Sequence, residues 1–419
     1  MKDYPNIILL TIDALRPDFI DCYNDCGLTP ALKKFAKNSI VFENTFTQGP
    51  LTPLSFPAIF TGMYPRKVMD GFGKINKNFP TFAQILKEKG YETCGICSNH
   101  FLVKGTGFEK GFNIFYDAND FMKVGGLLYR WIYPAAFPNA DTVNEKAIKM
   151  LKKIKRPFFL WIHYMDTHGP YFTGIKFNPV HKFHNEFLWI KATRRPKSVT
   201  KKEKRKLKTL YKKAIQYIDQ KLHELFKVFE DMNLFENSII IITSDHGEEF
   251  AEHGEFSHSR KLYDELLRVP LIIYSPKSKH ARIKKIMGLI DLLPTVFKIA
   301  KIETDINFEG KDILNFERKY VISEANPDKQ KNFIAIRTEN WKYIFDEEKN
   351  KEELYDIRRD PLEKKNLVEK VSKQILYEFR NILKEFTESC PKTGNTADRY
   401  FDDKIKKHLE FLGYIDEMK

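Results

Sequence analysis

Short apolar runs alternate with helical patterns over the first two-thirds of the chain. The runs NIILLTID (6–13), RPFFLWIHYMD (156–166) and NSIIIITSDHGEEF (237–250) are rich in β-branched and aromatic residues and are typical of buried strands. Between them, LTPALKKFAKNSI (28–40) and LYKKAIQYIDQKLHELFKVFEDM (210–232) place apolar residues at helical spacing. This alternation predicts an α/β fold in which helices cover both faces of a mostly parallel sheet.

The pattern changes after about residue 300. FIAIRTENWKYIFDEE (333–348) and EELYDIRRD (352–360) are typical of hairpin strands, and helical patterns follow at 369–387 and 402–415. We therefore expect a catalytic α/β domain over residues 1–300. A small C-terminal α+β subdomain, with short antiparallel strands and terminal helices, would cover residues 301–419.

Polar residues follow three of the predicted strands. Asp13 ends the first run, Asp166 and His168 follow the second, and Asp245 and His246 follow the third. Ligands of open α/β sheets collect at this edge, although a single Asp at a strand end is more often a helix cap.

Carboxylate and imidazole side chains of this kind are ligands of divalent cations. Asp13, Asp245 and His246 could therefore bind one ion, provided that the backbone turns at Gly247 so that the last two residues face the same way.

The segment GPLTPLSFPAIFTGMYP (49–65) places Thr52 and Ser55 at the start of a predicted helix. Either hydroxyl could cap this helix or act as a nucleophile. Thr52 could be a fourth ligand of the ion, and Ser55 could contact the substrate. His168 and His258 also lie in loops near predicted ligands. They could bind the oxygens of a tetrahedral anion, protonate a leaving group, or form a second metal site together with Asp166.

The order of these motifs resembles the sulfatase family of the alkaline phosphatase superfamily. The resemblance is carried by NIILLTIDALRPD, IFTGMYP, HYMDTHGPY, SDHGEEF, LYDELLRVPLII and IDLLPT. ELYDIRRDPLEKKNL (353–367) and LEFLGYI (409–415) are similar to the C-terminal region of that family. The resemblance implies a metal-dependent hydrolase that acts on sulfate or phosphate esters.

Thr52 occupies the nucleophile position of that family. The sulfatase signature has Cys or Ser here, and its Ser and Arg fall on Ser55 and Phe56 of this chain. Sulfatases oxidise their Cys or Ser to formylglycine, which a threonine cannot form. The chain is therefore more similar to the threonine-nucleophile branch, which contains phosphodiesterases, lipoteichoic acid synthases and phosphoethanolamine transferases.

The metal ligands also differ from the pattern of calcium-binding sulfatases. Asp13 is followed by Ala14 rather than a second acid, and His246 follows Asp245 where those enzymes often have Asn. An imidazole ligand favours zinc or manganese, with calcium or magnesium as alternatives. One or two ions could bind. The pairs Cys22/Cys26 and Cys94/Cys97 suggest a separate zinc site, although buried small apolar side chains are the default interpretation of cysteines.

The composition predicts a cytoplasmic protein without a transmembrane anchor. Five cysteines in 419 residues do not form a disulfide framework. The N-terminus lacks the shape of a signal peptide, and no window reaches the roughly 18 apolar residues of a membrane span. The net charge is +14, and in residues 194–213 eleven basic residues accompany one acid. This segment could bind nucleic acid or an anionic membrane surface, or it could simply be solvated.

Three functions remain open at this point. The leading hypothesis is a hydrolase or transferase that acts on phosphate esters, with diesters favoured, through a covalent Thr52 intermediate. Its substrate would be a small or polymeric anionic ester. The second is a sulfatase that works without formylglycine. The third is a non-catalytic protein that binds anionic partners through its basic surface.

Overall fold

The computed structural model describes residues 4–71, 73–122, 138–171, 179–276, 278–325 and 332–390. The helix predicted at 402–415 lies outside these ranges. The strands of the first 300 residues are β1 (Asn6–Ile12), β2 (Ile40–Phe46), β3 (Glu92–Cys97), β4 (Ile114–Tyr116), β5 (Phe158–Tyr164), β6 (Ser238–Thr243), β7 (Glu249–Phe250), β8 (Phe256–Ser257), β9 (Arg268–Tyr274) and β10 (Ala281–Gly288).

Eight of these strands form one central sheet in the order β10-β2-β9-β6-β1-β5-β3-β4. β9 pairs antiparallel with both of its neighbours, and every other pairing in the sheet is parallel. The predicted mostly parallel sheet is therefore confirmed. β7 and β8 pair with each other in a separate ribbon.

Helices lie on both faces of this sheet. They are α1 (Asp21–Asn24), α2 (Pro30–Ala36), α3 (Thr52–Thr61), α4 (Pro65–Val68), α5 (Phe82–Glu88), α6 (Ala118–Met122), α7 (Ala140–Leu151), α8 (Pro179–Arg194), α9 (Lys201–Asp231), α10 (Asp264–Leu267) and α11 (Leu292–Ala300). Ile8 and Leu10 of β1 pack in the core with α2, α7 and α9, whereas Ile7 and Leu9 pack in the core with α3, α5 and α11. Burial on both faces explains why β1 is a continuous apolar run rather than an alternating one.

The C-terminal region forms a second, antiparallel sheet. Its strands β11 (Tyr320–Glu324), β12 (Phe333–Thr338), β13 (Trp341–Asp346) and β14 (Lys351–Asp356) are neighbours in chain order. Helix α12 (Lys373–Ser389) covers this sheet, with the rings of Tyr343 and Phe379 stacked 5.3 Å apart. The predicted hairpin strands and following helix are confirmed. The division into domains at residue 300 remains a prediction.

The basic segment 194–213 spans the end of α8, a 3₁₀ turn at Pro196–Ser198 and the first part of α9. Leu207 and Tyr211 point into the core, while most of the basic side chains of the segment are exposed. Lys208 forms an ion pair of 2.9 Å with Glu252, which lies in the loop between β7 and β8. This end of α9 therefore lies beside a loop that follows β6.

Candidate active site

The ends of β1 and β6 bring three buried ligand side chains together. The two strands are parallel neighbours, with Thr11 opposite Thr243, so Asp13 and Asp245 leave the sheet side by side. One ligand atom from each of Asp13, Asp245 and His246 lies within 4.8 Å of the other two, and all three residues are fully buried. Among the described residues, this is the one group of three or more acidic, histidine or cysteine side chains with metal-binding geometry.

Thr52 points its hydroxyl into this group. It is the first residue of α3, and the helix is capped by Leu51 without any side-chain hydrogen bond. The Thr52 hydroxyl donates to Asp245 Oδ2 at 2.8 Å and lies 3.2 Å from Asp13 Oδ2 and 3.4 Å from His246 Nε2. Its position therefore suits a ligand or nucleophile and not a helix cap.

The turn after β1 holds Asp13 against β6. Ala14 has a positive φ of 55°, an uncommon conformation for a residue other than glycine. Its carbonyl accepts a 2.6 Å hydrogen bond from the Tyr211 hydroxyl of α9, and the next amide, that of Leu15, donates to Ser244 Oγ at 2.8 Å. These contacts compensate for the strained backbone and fix the direction in which Asp13 points.

Gly247 allows Asp245 and His246 to face the same site, but not by the mechanism that the sequence suggested. Its φ is not in the positive region. Instead, a Cβ at this position would lie 2.0 Å from the carbonyl oxygen of Glu265, and the Gly247 amide donates to the Leu266 carbonyl at 2.8 Å. The glycine is therefore required for close packing of two backbone segments.

The tautomer of His246 is set by its own loop. Its Nδ1 lies 2.9 Å from the Gly247 carbonyl, which can only accept, so Nδ1 carries the proton and Nε2 presents a lone pair. That lone pair faces Asp245 Oδ2 at 3.5 Å and Asp13 Oδ1 at 3.8 Å. Metal-binding histidines commonly show this arrangement, with one nitrogen on a carbonyl and the other on the ion.

The charges of the group also fit a cation. Burial raises the pKa of Asp13, but the His163 contact and the nearby imidazoles of His168 and His246 outweigh it and hold the pKa below its ordinary value. Burial and the charge of Asp13 raise the pKa of Asp245. Asp13 Oδ1 is buried without a hydrogen bond. A divalent cation would satisfy this oxygen and neutralise both carboxylates, so the residues present fit such an ion.

His168 and His258 lie close to this group. Their ring centroids are 4.8 Å apart, and the His258 ring is 4.5 Å from the His246 ring. His168 Nδ1 lies 2.6 Å from the Gly169 carbonyl and His258 Nδ1 lies 3.2 Å from Glu248 Oε2. Burial lowers the pKa of His168, and burial together with the neighbouring imidazoles lowers the pKa of His258 well below its ordinary value. Both shifts favour the neutral form of the ring.

Two predicted site residues have other partners. Asp166 is buried, but its Oδ1 accepts a hydrogen bond of 3.1 Å from the backbone amide of Ala140, at the start of α7. It does not join His168 and His258 in a metal-binding group within the described residues, so the geometry does not favour the second metal site. The Ser55 hydroxyl donates to the Thr52 carbonyl at 3.2 Å inside α3, which leaves its predicted role in substrate binding without a direct contact to the group.

Two residues of the site were missed by the sequence analysis. Asn99 follows β3 at the same sheet edge, and its amide donates to Asp13 Oδ2 at 3.0 Å and to Thr52 Oγ1 at 3.3 Å. His163 lies within β5, with Nε2 3.5 Å from Asp13 Oδ2. The rule that identified Asp13, a polar residue after a buried strand, would also have identified Asn99. No such signal marks a histidine inside a strand.

The cysteines contribute nothing to a metal site in the described residues. All five are free, with Cys94 and Cys97 buried in β3 and Cys26 exposed. No cysteine occurs in the ligand group described above. The default interpretation of the second pair as buried apolar side chains therefore fits the structure better.

Comparison with known proteins identifies the family. The profile of the sulfatase family matches residues 5–302, and a profile named N-sulphoglucosamine sulphohydrolase, C-terminal, matches residues 251–389. The chain is 25% identical to the uncharacterized sulfatase YidJ of Escherichia coli over 99% of this chain and 88% of the relative. It is 24% identical to the choline-sulfatase of Rhizobium meliloti over 87% of this chain and 82% of that enzyme.

Solved structures show the same architecture. The phosphonate monoester hydrolase of Agrobacterium radiobacter is similar with a TM-score of 0.77 at 16% identity, covering 92% of this chain and 96% of that one. A 2-O GAG sulfatase is similar with a TM-score of 0.76 at 20% identity, covering 94% of this chain and 95% of that one. These likenesses show the fold, and the sulfatase profile, which covers most of the chain, shows the class: a hydrolase with an alkaline phosphatase-like fold. The chain belongs to the sulfatase family.

Within the ranges that the structure describes, no helix combines the length and the apolar character needed to cross a membrane.

Proposed function

We propose that the chain is a metal-dependent hydrolase or transferase that acts on phosphate esters, with diesters as the favoured substrates and Thr52 as the covalent nucleophile. The observation that carries this proposal is the position of the Thr52 hydroxyl, 2.8 Å from Asp245 and 3.2 Å from Asp13 within the one ligand group of the described residues. A hydroxyl held there would lie beside any cation bound by these residues, where its oxygen could act as the nucleophile.

The residue at position 56 supports a reaction that does not depend on formylglycine. Phe56, at the place of the sulfatase signature's arginine, is fully buried, and its ring packs 5.5 Å from Trp161 and 5.1 Å from His163. The position therefore supplies an apolar contact behind the site and no cation for an anionic substrate. Together with the threonine at position 52, it favours direct attack by an unmodified hydroxyl.

The proposed reaction has two displacements. Thr52 Oγ gives up the proton that it donates to Asp245 Oδ2 and attacks phosphorus, the bond to the leaving alcohol breaks, and the alcohol takes up that proton as it departs. Water or an acceptor alcohol then loses a proton to His168 and attacks the phosphothreonine, and that proton returns to the Thr52 oxygen as the bond to phosphorus breaks. A divalent cation held by Asp13, Asp245 and His246 would lower the pKa of the hydroxyl and neutralise charge on the phosphoryl group.

The remaining side chains are placed to stabilise the negative charge that develops on the phosphoryl oxygens. The Asn99 amide, 3.3 Å from Thr52 Oγ1, is placed to donate to a non-bridging oxygen. His168 donates its Nδ1 proton to the Gly169 carbonyl, so its Nε2 can accept a proton from the incoming alcohol or water. His258 lies next to His168 and could hold another oxygen of the anion. Because one ligand is an imidazole, we propose zinc or manganese in preference to calcium or magnesium.

The alternative function is hydrolysis of sulfate esters by Thr52 without formylglycine. The family match and the relatives named sulfatases favour it. The likeness to a phosphonate monoester hydrolase shows that the same architecture also occurs in an enzyme named for a different ester. The fold alone therefore does not distinguish a phosphate ester from a sulfate ester. The residues at positions 52 and 56 are the basis for preferring the phosphate ester.

Paired substrates test the choice between these esters. We would measure kcat/KM for an aryl phosphodiester and an aryl sulfate with the same leaving group, on enzyme loaded with zinc or manganese. The proposal expects a higher kcat/KM for the diester, its loss in Thr52→Ala, and partial activity in Thr52→Ser, which keeps the hydroxyl. A higher kcat/KM for the sulfate would establish the alternative, and full activity in Thr52→Ala would remove Thr52 from either mechanism.

The substrate is expected to be an anionic ester, small or polymeric, and the basic segment 194–213 remains a proposed contact for nucleic acid or an anionic membrane surface. Retention on heparin that falls steeply with salt and survives Asp245→Asn would support this contact. If such binding occurred without any hydrolysis, the third hypothesis of a non-catalytic binding protein would replace the first. A cytoplasmic location likewise remains a proposal, which fractionation of the source cells would test.

A further inference from the structure

A buried chain of three side chains leads from the core of the sheet to Asp13. β1 and β5 are parallel neighbours, with Leu9 opposite Trp161 and Thr11 opposite His163. Trp161 Nε1 donates to Thr11 Oγ1 at 2.9 Å, and Thr11 Oγ1 lies 2.8 Å from His163 Nδ1. The other nitrogen of His163, Nε2, lies 3.5 Å from Asp13 Oδ2. Thr11, Trp161 and His163 are all fully buried.

The direction of these contacts fixes the tautomer of His163. The indole N–H of Trp161 can only donate, so Thr11 Oγ1 accepts it. The Thr11 proton can go to His163 Nδ1 at 2.8 Å or to the Ile162 carbonyl at 3.3 Å, and the first contact is shorter. If Nδ1 carried the ring proton instead, the Nε2 lone pair would face a buried carboxylate. The favourable arrangement has Thr11 donating to Nδ1 and the Nε2–H directed at Asp13.

This arrangement distinguishes the two oxygens of Asp13. Oδ2 receives the Asn99 amide at 3.0 Å and lies 3.2 Å from the Thr52 hydroxyl. His163 Nε2 faces the same oxygen at 3.5 Å, an electrostatic contact that is too long for a formed hydrogen bond. Oδ1 is buried without a hydrogen bond. Donors concentrated on one oxygen orient the carboxylate so that the other is presented to the ligand group.

We propose that Trp161, Thr11 and His163 form a positioning relay that holds Asp13 with Oδ1 directed at the cation. This inference rests on the metal site of the proposed function, but not on the kind of ester that is cleaved. Phe56 completes the surroundings of the relay, because its ring meets the His163 ring edge-on at 5.1 Å and excludes other partners on that side. His163 is thus a positioning residue that acts through Asp13 and does not itself touch substrate.

The affinity for zinc tests the relay without reference to catalysis. We would measure the zinc dissociation constant of the full chain by competition with a chromophoric chelator. His163→Leu removes the polar ring that faces Asp13 Oδ2 and should weaken binding about 10- to 100-fold, as loss of a polar group behind a metal ligand typically does. His163→Gln retains an N–H that can reach Asp13 and should restore most of the affinity, while Thr11→Val should weaken binding to a smaller degree than His163→Leu.

Phe60→Leu is the matched packing control. The Phe60 and Trp161 ring centroids lie 4.7 Å apart, and this contact is apolar. Truncation of Phe60 should therefore lower the melting temperature while leaving zinc affinity unchanged. If His163→Leu bound zinc as tightly as wild type, or if His163→Gln were as weak as His163→Leu, the relay would be refuted.

A second measurement applies even if the protein binds no divalent cation, an outcome that would refute the metal site of the proposed function. Nitrogen-15 NMR of labelled histidine in metal-free protein should show His163 protonated at Nε2, and Thr11→Val should alter that signal. Protonation of His163 at Nδ1 in wild type would overturn the relay.

Discussion

The substitution Asp245→Asn should change the stability of the protein in opposite directions with and without a cation. Asp13 and Asp245 are fully buried, and their ligand atoms lie within 4.8 Å of each other. At an effective dielectric constant of about 20, two full charges at that separation repel by about 3 kcal/mol. In metal-free protein at alkaline pH, where both carboxylates ionise, removing one charge should therefore stabilise the fold.

The size of the effect follows from the length of the chain. Unfolding entropy of about 2 cal/mol/K per residue gives about 0.9 kcal/mol/K for a protein of this size, so 3 kcal/mol corresponds to a rise in melting temperature of about 3 °C. Zinc at about 1,000 times its dissociation constant would stabilise wild type by about 4 kcal/mol, or about 5 °C. Asp245→Asn lacks a charged ligand and should gain much less.

The assay is thermal unfolding of both proteins with a chelator and with zinc. Asp291→Asn is the control, because this buried carboxylate pairs with Arg318 outside the ligand group. It should be destabilising to the same extent in both conditions. The reasoning would be refuted if metal-free Asp245→Asn melted several degrees below wild type and both proteins gained equally from zinc.

Three further substitutions have defined outcomes. Asn99→Ala should lower kcat on a phosphodiester by about 10²- to 10³-fold with little change in melting temperature, because it removes one donor to the reacting group. Burial raises the pKa of Asp166 from 3.8 to about 7, so its contribution to stability is complete below about pH 4 and is lost as the pH rises through about 7. The unfolding free energy of wild type should therefore fall by about 4 kcal/mol between about pH 4 and pH 7, because the two pKa values differ by about 3 units. Asp166→Asn should not show this fall. Asp264→Asn should lower the free energy of unfolding by about 3–5 kcal/mol in denaturant titrations, because it leaves the buried cations of Arg337 and Lys342 without their shared carboxylate.

The strands and the ligands at their ends were predictable because both depend on local pattern. Apolar runs that end in an acid placed Asp13 and Asp245 at one sheet edge, and the parallel order of β1 and β6 brought them together. The antiparallel direction of β9 was not predictable, because a buried strand has the same apolar pattern in either direction.

The parts of the site that the sequence missed depend on register and packing. Asp166 satisfies the same strand-end rule as Asp13 but accepts the Ala140 amide, since a carboxylate at a strand end can serve a helix N-terminus equally well. His163 interacts with Thr11 only through the register of two strands about 150 residues apart, and no local pattern encodes that contact. The sequence identified Gly247 as important, but only the tertiary structure shows why a glycine is required there. The backbone of Glu265 lies too close for a side chain.

Covalent catalysis by Thr52 is tested most directly by a search for phosphorus on Thr52 during turnover. The enzyme loaded with zinc or manganese would be mixed with a phosphorus-labelled diester, quenched in acid and digested, and the labelled peptide sequenced. Covalent catalysis by Thr52 predicts label on the peptide that contains Thr52, and none in Thr52→Ala. Turnover of the diester with no label on Thr52, or with label on another residue, would contradict it.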